Sequence, residues 1–446
     1  MSTKRKKCYI CLNLKTISSM DRRDFIKSSA LATAALMFDW EKAFAAGAAS
    51  PQVGKAWKGW KKGHFQAHFI YTGVGESIFM IFPDGTTMLL DCGDHNAVGR
   101  GKLAVPVRPS PDRHSGEWIA RYIQRVNPSK DKVDYMMLSH YHNDHGGCSR
   151  FYAGTDIRDG EEYRLSGFSQ AAEWLKFGKA FDRCWPDYDD PIPLIEKSAD
   201  NVQQMKRFYT YMSRHRGLEI EKFQVGAIDQ VKMIHAPGKY PGFSIRNICG
   251  NGRIAYPDGR IVDLYADRKK DNPKYLNENG MSLGMIISYG PFSFYTAGDF
   301  SDGWNLPDGT GFQVEDAIAD VCGKVSVAKI NHHGHYSMTE KLLKALQARV
   351  YVSCVWDQLH NVAPVMERIA DRSLYPGDRI VCPGVFPKER REEDAGKEWL
   401  GIINKSSFNG GHVVLDVPKG GKDYSITYLT AEDESMTILS VMNFKS

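Results

Sequence analysis

The sequence predicts a mixed α/β protein whose candidate site lies where strands end. Two hairpins, at 78–91 and 282–299, each finish in an aspartate after an apolar second strand. Apolar residues at helical spacing over 116–127 separate the first hairpin from the next strand. Two further apolar runs end directly in clusters of histidines. Polar side chains at successive strand ends are typical of α/β folds that place a site at one rim of a sheet.

The most informative junction follows the apolar run 135–138. The residues after it are Ser139, His140, Tyr141, His142, Asn143, Asp144, His145, Gly146 and Gly147. In an extended loop His140 and His142 point the same way, so both can hold one ion. Asp144 and His145 can face a second ion close by. Zinc, manganese and iron prefer imidazole and carboxylate ligands, so we interpret the loop as a metal site rather than a polar loop with accidental histidines.

The two hairpins echo each other. Each has an apolar strand, a short turn and a second strand that stops at an aspartate, which is Asp91 in the first and Asp299 in the second. A single aspartate at a strand end is usually only a cap, but its recurrence makes both residues candidates for the site. An internal duplication of a β-unit is one explanation of the echo.

A third junction joins the apolar run 325–330 to three further histidines, His332, His333 and His335. The rest of this half comprises a helix at 339–346, a strand at 350–355, His360 just beyond it and a closing hairpin at 413–429. Between the junctions, the patterns predict helices near 169–182 and 195–216, a strand and turn at 231–238 and a polar, turn-rich segment at 247–275.

The charge of the chain is concentrated at its start. The 446 residues have a formal net charge of +5, with 42% hydrophobic and 25% charged residues, as in an ordinary globular protein. Nine of the 58 basic and four of the 53 acidic residues fall in 1–45, which leaves 49 of each sign in the body. A neutral body has no overall field to attract nucleic acid or an anionic membrane.

The first 45 residues have the pattern of an export signal. Residues 21–27 (DRRDFIK) resemble the twin-arginine motif, a short apolar stretch follows at 28–38, and Ala43-Phe44-Ala45 offers a cleavage site. The apolar stretch is too short for a permanent membrane anchor. We expect a periplasmic or secreted bacterial protein that uses the twin-arginine export machinery, with 1–19 as an upstream extension. An amphipathic first helix is the alternative.

The pattern His140-x-His142-x-Asp144-His145 resembles the signature of the metallo-β-lactamase-fold hydrolases. The resemblance implies an α/β fold of the four-layered αββα type that binds one or two divalent ions. Further motifs are similar to the soluble domain of ComEC-type DNA-uptake proteins and to phosphorylcholine-esterase-like enzymes: Gly73-Val74-Gly75-Glu76-Ser77, Pro83-Asp84-Gly85, Leu90-Asp91-Cys92-Gly93, Asn279 with Ser282, and His332-His333-Gly334. We expect one domain over 46–446, with insertions at about 150–230 and 247–275.

The resemblance also implies metal ligands. The first ion is assigned to His140 and His142, the second to Asp144, His145 and His332, and the bridging position to Asp299. Asp91 is expected to orient a ligand histidine by accepting its N–H. His332 is only slightly preferred over His333. Zinc is the expected ion, and manganese is the alternative.

One ligand of the first ion stays open. Many members of the family carry a further histidine in a Thr-Pro-Gly-His context, where this chain has Lys239 after Ala236-Pro237-Gly238. The ComEC-like branch instead resembles this chain at Asn279, so the third ligand lies near Lys239 or Asn279.

The resemblance implies hydrolysis by a metal-bound hydroxide. Two ions about 3.5–4 Å apart would activate water and polarise the scissile bond, with Asp144 in the catalytic centre. His333, His335 or His360 would protonate the leaving group, because imidazole exchanges protons near neutral pH. His335 replaces a serine of the branch, which leaves substrate preference open.

Three functions are compatible with these features. The first is an exported hydrolase of a phosphoester or phosphodiester, with a small-molecule or glycan-linked ester as substrate. The second is a hydrolase of a β-lactam, lactone or sulfate ester. The third is a metal-stabilised binding protein without turnover. The complete histidine loop argues against the third, because a structural metal needs no open position for water.

Overall fold

The computed structural model describes residues 52–95, 98–147, 163–191, 199–266, 278–301, 304–305 and 311–446. The chain divides into two units, Met1–Pro51 and Gln52–Ser446. The export signal predicted at 1–45 therefore lies outside the described residues, as do parts of both predicted insertions. Within the described ranges, no helix has both the length and the apolar character that a membrane crossing requires.

Nineteen strands are present in the described ranges. In chain order they are β1 (Phe65–Phe69), β2 (Ile78–Ile81), β3 (Thr87–Leu90), β4 (Lys132–Met137), β5 (Lys176–Asp182), β6 (Glu219–Lys222), β7 (Phe243–Gly250), β8 (Arg253–Ala255), β9 (Ile261–Asp263), β10 (Gly284–Tyr289), β11 (Phe292–Ala297), β12 (Trp304–Asn305), β13 (Gly311–Phe312), β14 (Val327–Lys329), β15 (Val350–Ser353), β16 (Ile380–Pro383), β17 (His412–Val417), β18 (Asp423–Leu429) and β19 (Ile438–Lys445).

The strands form two large mixed sheets of the same plan. The first has the order β19-β18-β17-β1-β2-β3-β4-β5-β6, and the second has the order β16-β15-β14-β11-β10-β7-β8-β9. In each sheet a hairpin, β2–β3 or β10–β11, is antiparallel, and its second strand then pairs in parallel with the next strand, β4 or β14. Antiparallel and parallel halves therefore meet at β3 in one sheet and at β11 in the other.

Eight α-helices accompany the sheets in the described ranges. They are α1 (Ser115–Val126), α2 (Asn143–Gly146), α3 (Phe168–Ala171), α4 (Ala199–Arg216), α5 (Val314–Cys322), α6 (Glu340–Leu346), α7 (Ala363–Ala370) and α8 (Lys388–Glu393). The sequence of α1 shows why such a helix forms and where it packs. Its buried residues Ile119, Tyr122, Ile123 and Val126 recur three or four positions apart and make one apolar face, and Asn127 and Pro128 end the helix.

Three large apolar clusters of described residues separate four layers of secondary structure. One cluster contains side chains from both sheets, such as Phe69 and Phe294, and lies between them. A second joins the other face of the first sheet to α1 and α4, and a third joins the other face of the second sheet to α5, α6 and α7. Alternation along strands sends neighbouring residues to opposite faces, as for Met136 and Met137 of β4. The expected α/β class with αββα layering is confirmed.

Most predicted elements are confirmed. Both hairpins, the first helix, the strands at 325–330 and 350–355, the helix at 339–346 and the closing hairpin are present within two residues of their predicted ends, and the helix predicted at 195–216 is described from Ala199 to Arg216. The closing hairpin gains a further partner, β19, beside β18.

Two predicted elements are wrong. The segment 169–182 forms mainly β5 rather than a helix, because it pairs in parallel with β4 and β6. Phe177 and Phe181 are four residues apart, a spacing that fits a helix and a strand equally well. The segment near 231–236 is irregular rather than a strand, since Asp84 accepts hydrogen bonds from its backbone N–H groups at His235 and Ala236, at 2.9 and 2.8 Å. Part of the predicted turn-rich segment at 247–275 forms β8 and β9 of the second sheet.

Candidate metal centre

The residues of the candidate site follow the carboxyl ends of four strands. Asp91 directly follows β3, the histidine loop follows β4, Asp299 follows β11, and a 3₁₀ turn at Asn331–Gly334 follows β14. Within each sheet the two strands are parallel neighbours, so their carboxyl ends lie at the same edge. The two edges face each other, because side chains from both sheets meet there.

Close backbone contacts hold the histidine loop in place. The carbonyl of Asp144 accepts a hydrogen bond from the Glu76 N–H at 2.7 Å, and the carbonyl of His145 accepts one from the Cys92 N–H at 2.7 Å. A side chain at Gly93 would not fit, since a Cβ there would lie 1.9 Å from the Asp144 carbonyl oxygen. The glycine therefore permits the hairpin and the loop to touch.

The buried centre consists of two imidazoles and two carboxylates. His333 Nε2 lies 3.0 Å from Asp144 Oδ2 and 3.0 Å from Asp299 Oδ2. His145 Nε2 lies 3.0 Å from Asp299 Oδ2, 3.3 Å from His333 Nε2 and 3.6 Å from Asp144 Oδ2. All four side chains are buried. Four ligand-type atoms thus surround one small volume.

His140 and His142 lie beside this centre. Nε2 of His140 is 3.2 Å from Nδ1 of His142 and 3.9 Å from Asp299 Oδ2. The two imidazoles therefore point to a common place, as the spacing of two residues predicts, and Asp299 lies between that place and the His145–His333 group.

The outer nitrogens of three imidazoles are fixed by acceptors. His145 Nδ1 donates to Asp91 Oδ2 at 2.7 Å, His333 Nδ1 donates to the Cys354 carbonyl at 2.7 Å, and His140 Nδ1 lies 3.0 Å from Ser139 Oγ. Asp91 also accepts the Ser139 N–H and O–H, both at 2.7 Å. With its outer nitrogen held, each ring presents Nε2 inward in the tautomer that binds metals.

The electrostatics of the metal-free centre are those of a cation site. Burial disfavours a charged His333, but Asp299 and Asp144 outweigh it and raise its pKa to about 9. Burial likewise opposes a charged His145, and Asp299 and Asp91 raise its pKa well above the usual range. Burial alone would raise the pKa values of Asp144 and Asp299, but His145 and His333 hold both well below the usual range. In the metal-free protein the two carboxylates therefore stay ionised, and they favour the protonated form of His145 and His333.

His140 has the opposite tendency. Burial, reinforced by the neighbouring His145, lowers its pKa well below the usual range. A neutral imidazole is the form that binds a metal ion, so His140 needs no deprotonation.

The structure includes two charged residues that the sequence interpretation did not assign. Lys329, the last residue of β14, pairs with Glu76 at 3.0 Å and lies 4.0 Å from Asp299 Oδ1. Glu76 Oε2 is 3.5 Å from His333 Nδ1, and Glu76 belongs to a set of ligand atoms, with His145, Asp299 and His333, that all lie within 4.8 Å of one another. The lysine within the otherwise largely apolar run 325–330 was the available signal in the sequence.

The structure separates His332 from His333. His332 Nδ1 lies 3.2 Å from Ser301 Oγ, and its Nε2 lies 3.4 Å from Asn279 Nδ2, while His333 enters the carboxylate group. Both residues have positive φ, at 47° and 52°, in the region that L-residues rarely adopt. Burial lowers the pKa of His332 to about 4.

His360 and His335 line the outer side of the centre. The ring of His360 stacks on that of His333 with centroids 4.8 Å apart, and burial lowers its pKa well below the usual range. The ring of His335 lies 5.3 Å from that of His332 and is partly exposed. Of the two, His335 is the one in reach of solvent.

Lys239 lies away from the site. The segment before it is bonded to Asp84 and Thr86, at the start of β3, whereas Asp91 follows the end of the same strand. Lys239 is exposed there. Asn279, the other candidate for the third ligand, lies at the site beside His332.

The residues present fit divalent metal ions. Three inward-facing Nε2 atoms with their outer nitrogens engaged, and two ionised carboxylates, are a donor set that zinc, manganese and iron accept. Asp299 Oδ1 is buried and has no hydrogen-bond partner in the described part of the chain. Such an acceptor is costly to bury unless a cation compensates it, and the Lys329 ammonium, at 4.0 Å, lies beyond hydrogen-bond distance.

Comparisons with known proteins find a family model that matches part of the chain, and similar solved structures. Residues 71–156 match the family model described as the metallo-beta-lactamase superfamily. One similar solved structure is a mutant of the CmlA β-hydroxylase, with 11% identity and a TM-score of 0.33, covering 70% of this chain and 49% of that chain.

Another is CmlA, a diiron β-hydroxylase from Streptomyces venezuelae, with 10% identity and a TM-score of 0.30, covering 66% of this chain and 45% of that chain. This chain thus spans about half the length of those structures. No curated protein matches the sequence.

Proposed function

We propose that this chain is a metal-dependent hydrolase that acts on a phosphoester or phosphodiester. The observation that carries the proposal is the buried meeting of His145, His333, Asp144 and Asp299 at the ends of strands from both sheets. A divalent ion bound there would lower the pKa of a water molecule and polarise the scissile bond. Zinc is the proposed ion, with manganese as the alternative.

Other residues of the chain would supply negative charge, orient the histidines and transfer a proton to the leaving group. Asp144 and Asp299 supply negative charge that is already ionised, and Asp91 and the Cys354 carbonyl orient the two inner histidines. Of the two outer histidines, His335 is placed to pass a proton to a leaving group, because it is partly exposed. His360 is buried against His333 and is better placed to hold that ring than to exchange protons with solvent.

The geometry favours His333 over His332 as the ligand that accompanies Asp144 and His145. His333 Nε2 is within 3.0 Å of both carboxylates, whereas the contacts of His332 are with Ser301 and Asn279. His332 and Asn279 lie beside each other, at 3.4 Å, outside the direct contacts of the two carboxylates with His145 and His333. Asn279 remains the candidate for the third ligand of the first ion.

A phosphoester fits the charge of the chain better than a nucleic acid does. The body beyond residue 45 is neutral, whereas a firm grip on a nucleic acid requires a basic surface. A small or glycan-linked ester needs only the local charge of the bound ions. Export to the periplasm through the twin-arginine pattern at 21–27 is part of this proposal, without a permanent membrane anchor.

A substrate screen tests the proposal. The full chain, reconstituted with Zn²⁺ or Mn²⁺, is assayed on phosphodiesters, phosphomonoesters, β-lactams, lactones, sulfate esters and nucleic acids. Turnover of a phosphoester that Asp144→Asn abolishes and Asp258→Asn retains supports the proposal, because Asp258 lies in an exposed turn and pairs with Arg260. Turnover of a β-lactam, lactone or sulfate ester alone would contradict the proposed substrate class. The absence of any Asp144-dependent turnover would favour a binding protein.

A further inference from the structure

Tyr141, the residue between His140 and His142, is held at each of its polar atoms from outside the histidine loop. Its N–H donates to Glu278 Oε1 at 3.1 Å, and its carbonyl accepts from Asn201 Nδ2 at 3.0 Å. Its hydroxyl lies 2.6 Å from each carboxylate oxygen of Asp182. Three separate segments therefore fix this one residue.

A buried ion pair supports the same residue. Arg183 donates from Nε and Nη2 to the two oxygens of Glu278 at 2.7 and 2.9 Å, and its guanidinium lies 4.8 Å from the centre of the Tyr141 ring. The side chains of Arg183 and Glu278 are 1% and 2% exposed. Arg183 Nη1 also donates to Asn251 Oδ1 at 2.9 Å. A two-point guanidinium–carboxylate pair has one preferred geometry, so it holds its neighbours rigidly.

The ion pair reaches both sides of the site. Glu278 precedes Asn279, whose Nδ2 is 3.4 Å from His332 Nε2. Glu278 therefore joins the backbone between His140 and His142 to the segment that contacts His332. In an extended loop the side chain of Tyr141 points away from its two neighbours, so fixing Tyr141 fixes the direction of both imidazoles.

We infer that the Arg183–Glu278 pair positions Tyr141 and thereby sets the geometry of His140 and His142 for the first metal ion. Asp182 and Asn201 complete this Tyr141 clamp. Asp182, Arg183 and Asn201 belong to the segment at 150–230, so this segment builds the first metal site rather than merely covering the fold. The inference rests on the proposed function, because it requires that His140 and His142 bind an ion.

Calorimetric titration with Zn²⁺ tests the inference independently of turnover. The full chain is freed of metal with a chelator, and both binding steps are measured in Tyr141→Phe, Asn201→Ala and Glu278→Gln. The matched control is Tyr135→Phe, which also removes one hydroxyl group. That hydroxyl lies on the strand leading into the loop and donates to the Lys232 carbonyl at 3.0 Å, away from the Tyr141 contacts. Misorientation of a ligand typically weakens metal binding by about 10- to 100-fold.

The expected result is a selective one. In Tyr141→Phe one Zn²⁺ step weakens by about 10- to 100-fold while the other keeps its affinity, and Tyr135→Phe keeps both. Glu278→Gln should weaken the same step further, and Co²⁺ absorption should change in the same variants. Thermal unfolding of the metal-free variants identifies any that fail to fold, and Asn201→Ala, which removes only a partly buried contact, then decides the matter.

The outcomes separate this inference from the proposed function. Suppose that the wild type binds two ions and that every clamp variant binds both with the wild-type affinities. This result would overturn the positioning role and leave the hydrolase proposal intact. If the wild type binds a single ion, unchanged affinity in Tyr141→Phe would overturn it in the same way. A wild type that binds no Zn²⁺ or Mn²⁺ would overturn both.

Discussion

The two aspartates that end the paired hairpins occupy equivalent places and have different surroundings. Asp91 follows β3 and Asp299 follows β11, each beside a parallel strand that leads into histidines. Asp91 is enclosed by donors, with Ser139 N–H, Ser139 O–H and His145 Nδ1 all at 2.7 Å. It approaches His145 from the outer side of the ring.

Asp299 approaches the same ring from the inner side. Its Oδ2 lies 3.0 Å from His145 Nε2 and 3.0 Å from His333 Nε2, and its Oδ1 has no hydrogen-bond partner among the described residues. Asp91 has a φ of 60° in the left-handed region, whereas Asp299 is not among the described residues with positive φ. The strand end thus determines where a carboxylate lies, and the neighbouring donors determine whether it can orient a ligand or bind a metal.

The largest effect should follow the loss of the inner carboxylate. Asp299→Asn removes the charge that both Nε2 atoms share, so we expect turnover to fall by more than the roughly 100-fold that loss of an orienting residue costs at most. Steady-state kinetics with metal analysis of the same sample provides the measurement. Equal losses in Asp299→Asn and Asp91→Asn would contradict the difference between the two aspartates.

The paired histidines after β14 offer a matched comparison. His333→Ala removes an imidazole within 3.0 Å of two carboxylates and should abolish one Zn²⁺ step, whereas His332→Ala should leave both steps and alter substrate affinity. Titration with Zn²⁺ and measurement of KM distinguish the two variants. Loss of a metal step in His332→Ala alone would restore His332 as the ligand.

The ion pair behind Asp299 should matter for stability. Lys329→Met leaves Glu76 buried without its partner, which typically costs about 3–5 kcal/mol of unfolding free energy. Urea denaturation of the metal-free protein measures this cost. Adding Glu76→Gln to Lys329→Met should recover much of the loss, and a double variant less stable than Lys329→Met would show that the charge pairing is not the cause.

Loss of the charge of Asp91, the carboxylate on the outer side of the His145 ring, should have an intermediate effect on metal affinity or turnover. Asp91→Asn keeps the shape but loses the charge that holds His145 and Ser139, so metal affinity or turnover should fall by about 10- to 100-fold. Metal titration provides the measurement, and an unchanged affinity for both ions would remove the orienting role.

The smallest effect is a dependence of stability on pH in the metal-free protein. Because the pKa of His333 is raised to about 9 in the folded state, its contribution is complete below its unfolded pKa of about 6.5 and is lost as pH rises through about 9. Urea midpoints between pH 6 and pH 9.5 should fall less steeply in His333→Gln than in the wild type. His332→Gln serves as the control, since the pKa of His332 is lowered to about 4, and equal slopes in His333→Gln and wild type would contradict the assignment.

The sequence predicts the frame of the site well, because strand ends are local features. Asp91, the loop from His140 to His145, and Asp299 each follow an apolar run directly, and the fold brings them together. The spacing in the sequence could not decide between His332 and His333. Two successive left-handed residues turn the backbone there, and that conformation depends on contacts such as the bond from Asn361 N–H to the His333 carbonyl at 3.2 Å.

Long-range pairing accounts for the parts that the sequence does not reveal. Lys239 occupies the sequence context of a ligand, yet Asp84 and Thr86 hold its segment at the far end of β3. Glu76 and Lys329 are 253 positions apart in the chain, so only the meeting of the two sheets makes them a pair. Likewise, segment 176–182 becomes strand β5 because it pairs in parallel with β4 and β6, whereas the spacing of its apolar residues does not distinguish a strand from a helix.

The most direct test is a count of metal ions in the full chain. Protein purified without chelator, and chelator-treated protein titrated with Zn²⁺ or Mn²⁺, should bind one or two ions per chain, and Asp299→Asn should bind fewer. A wild-type chain that binds neither ion, or an Asp299→Asn chain that binds both ions with wild-type affinity, would contradict the assignment of this buried centre as a metal site.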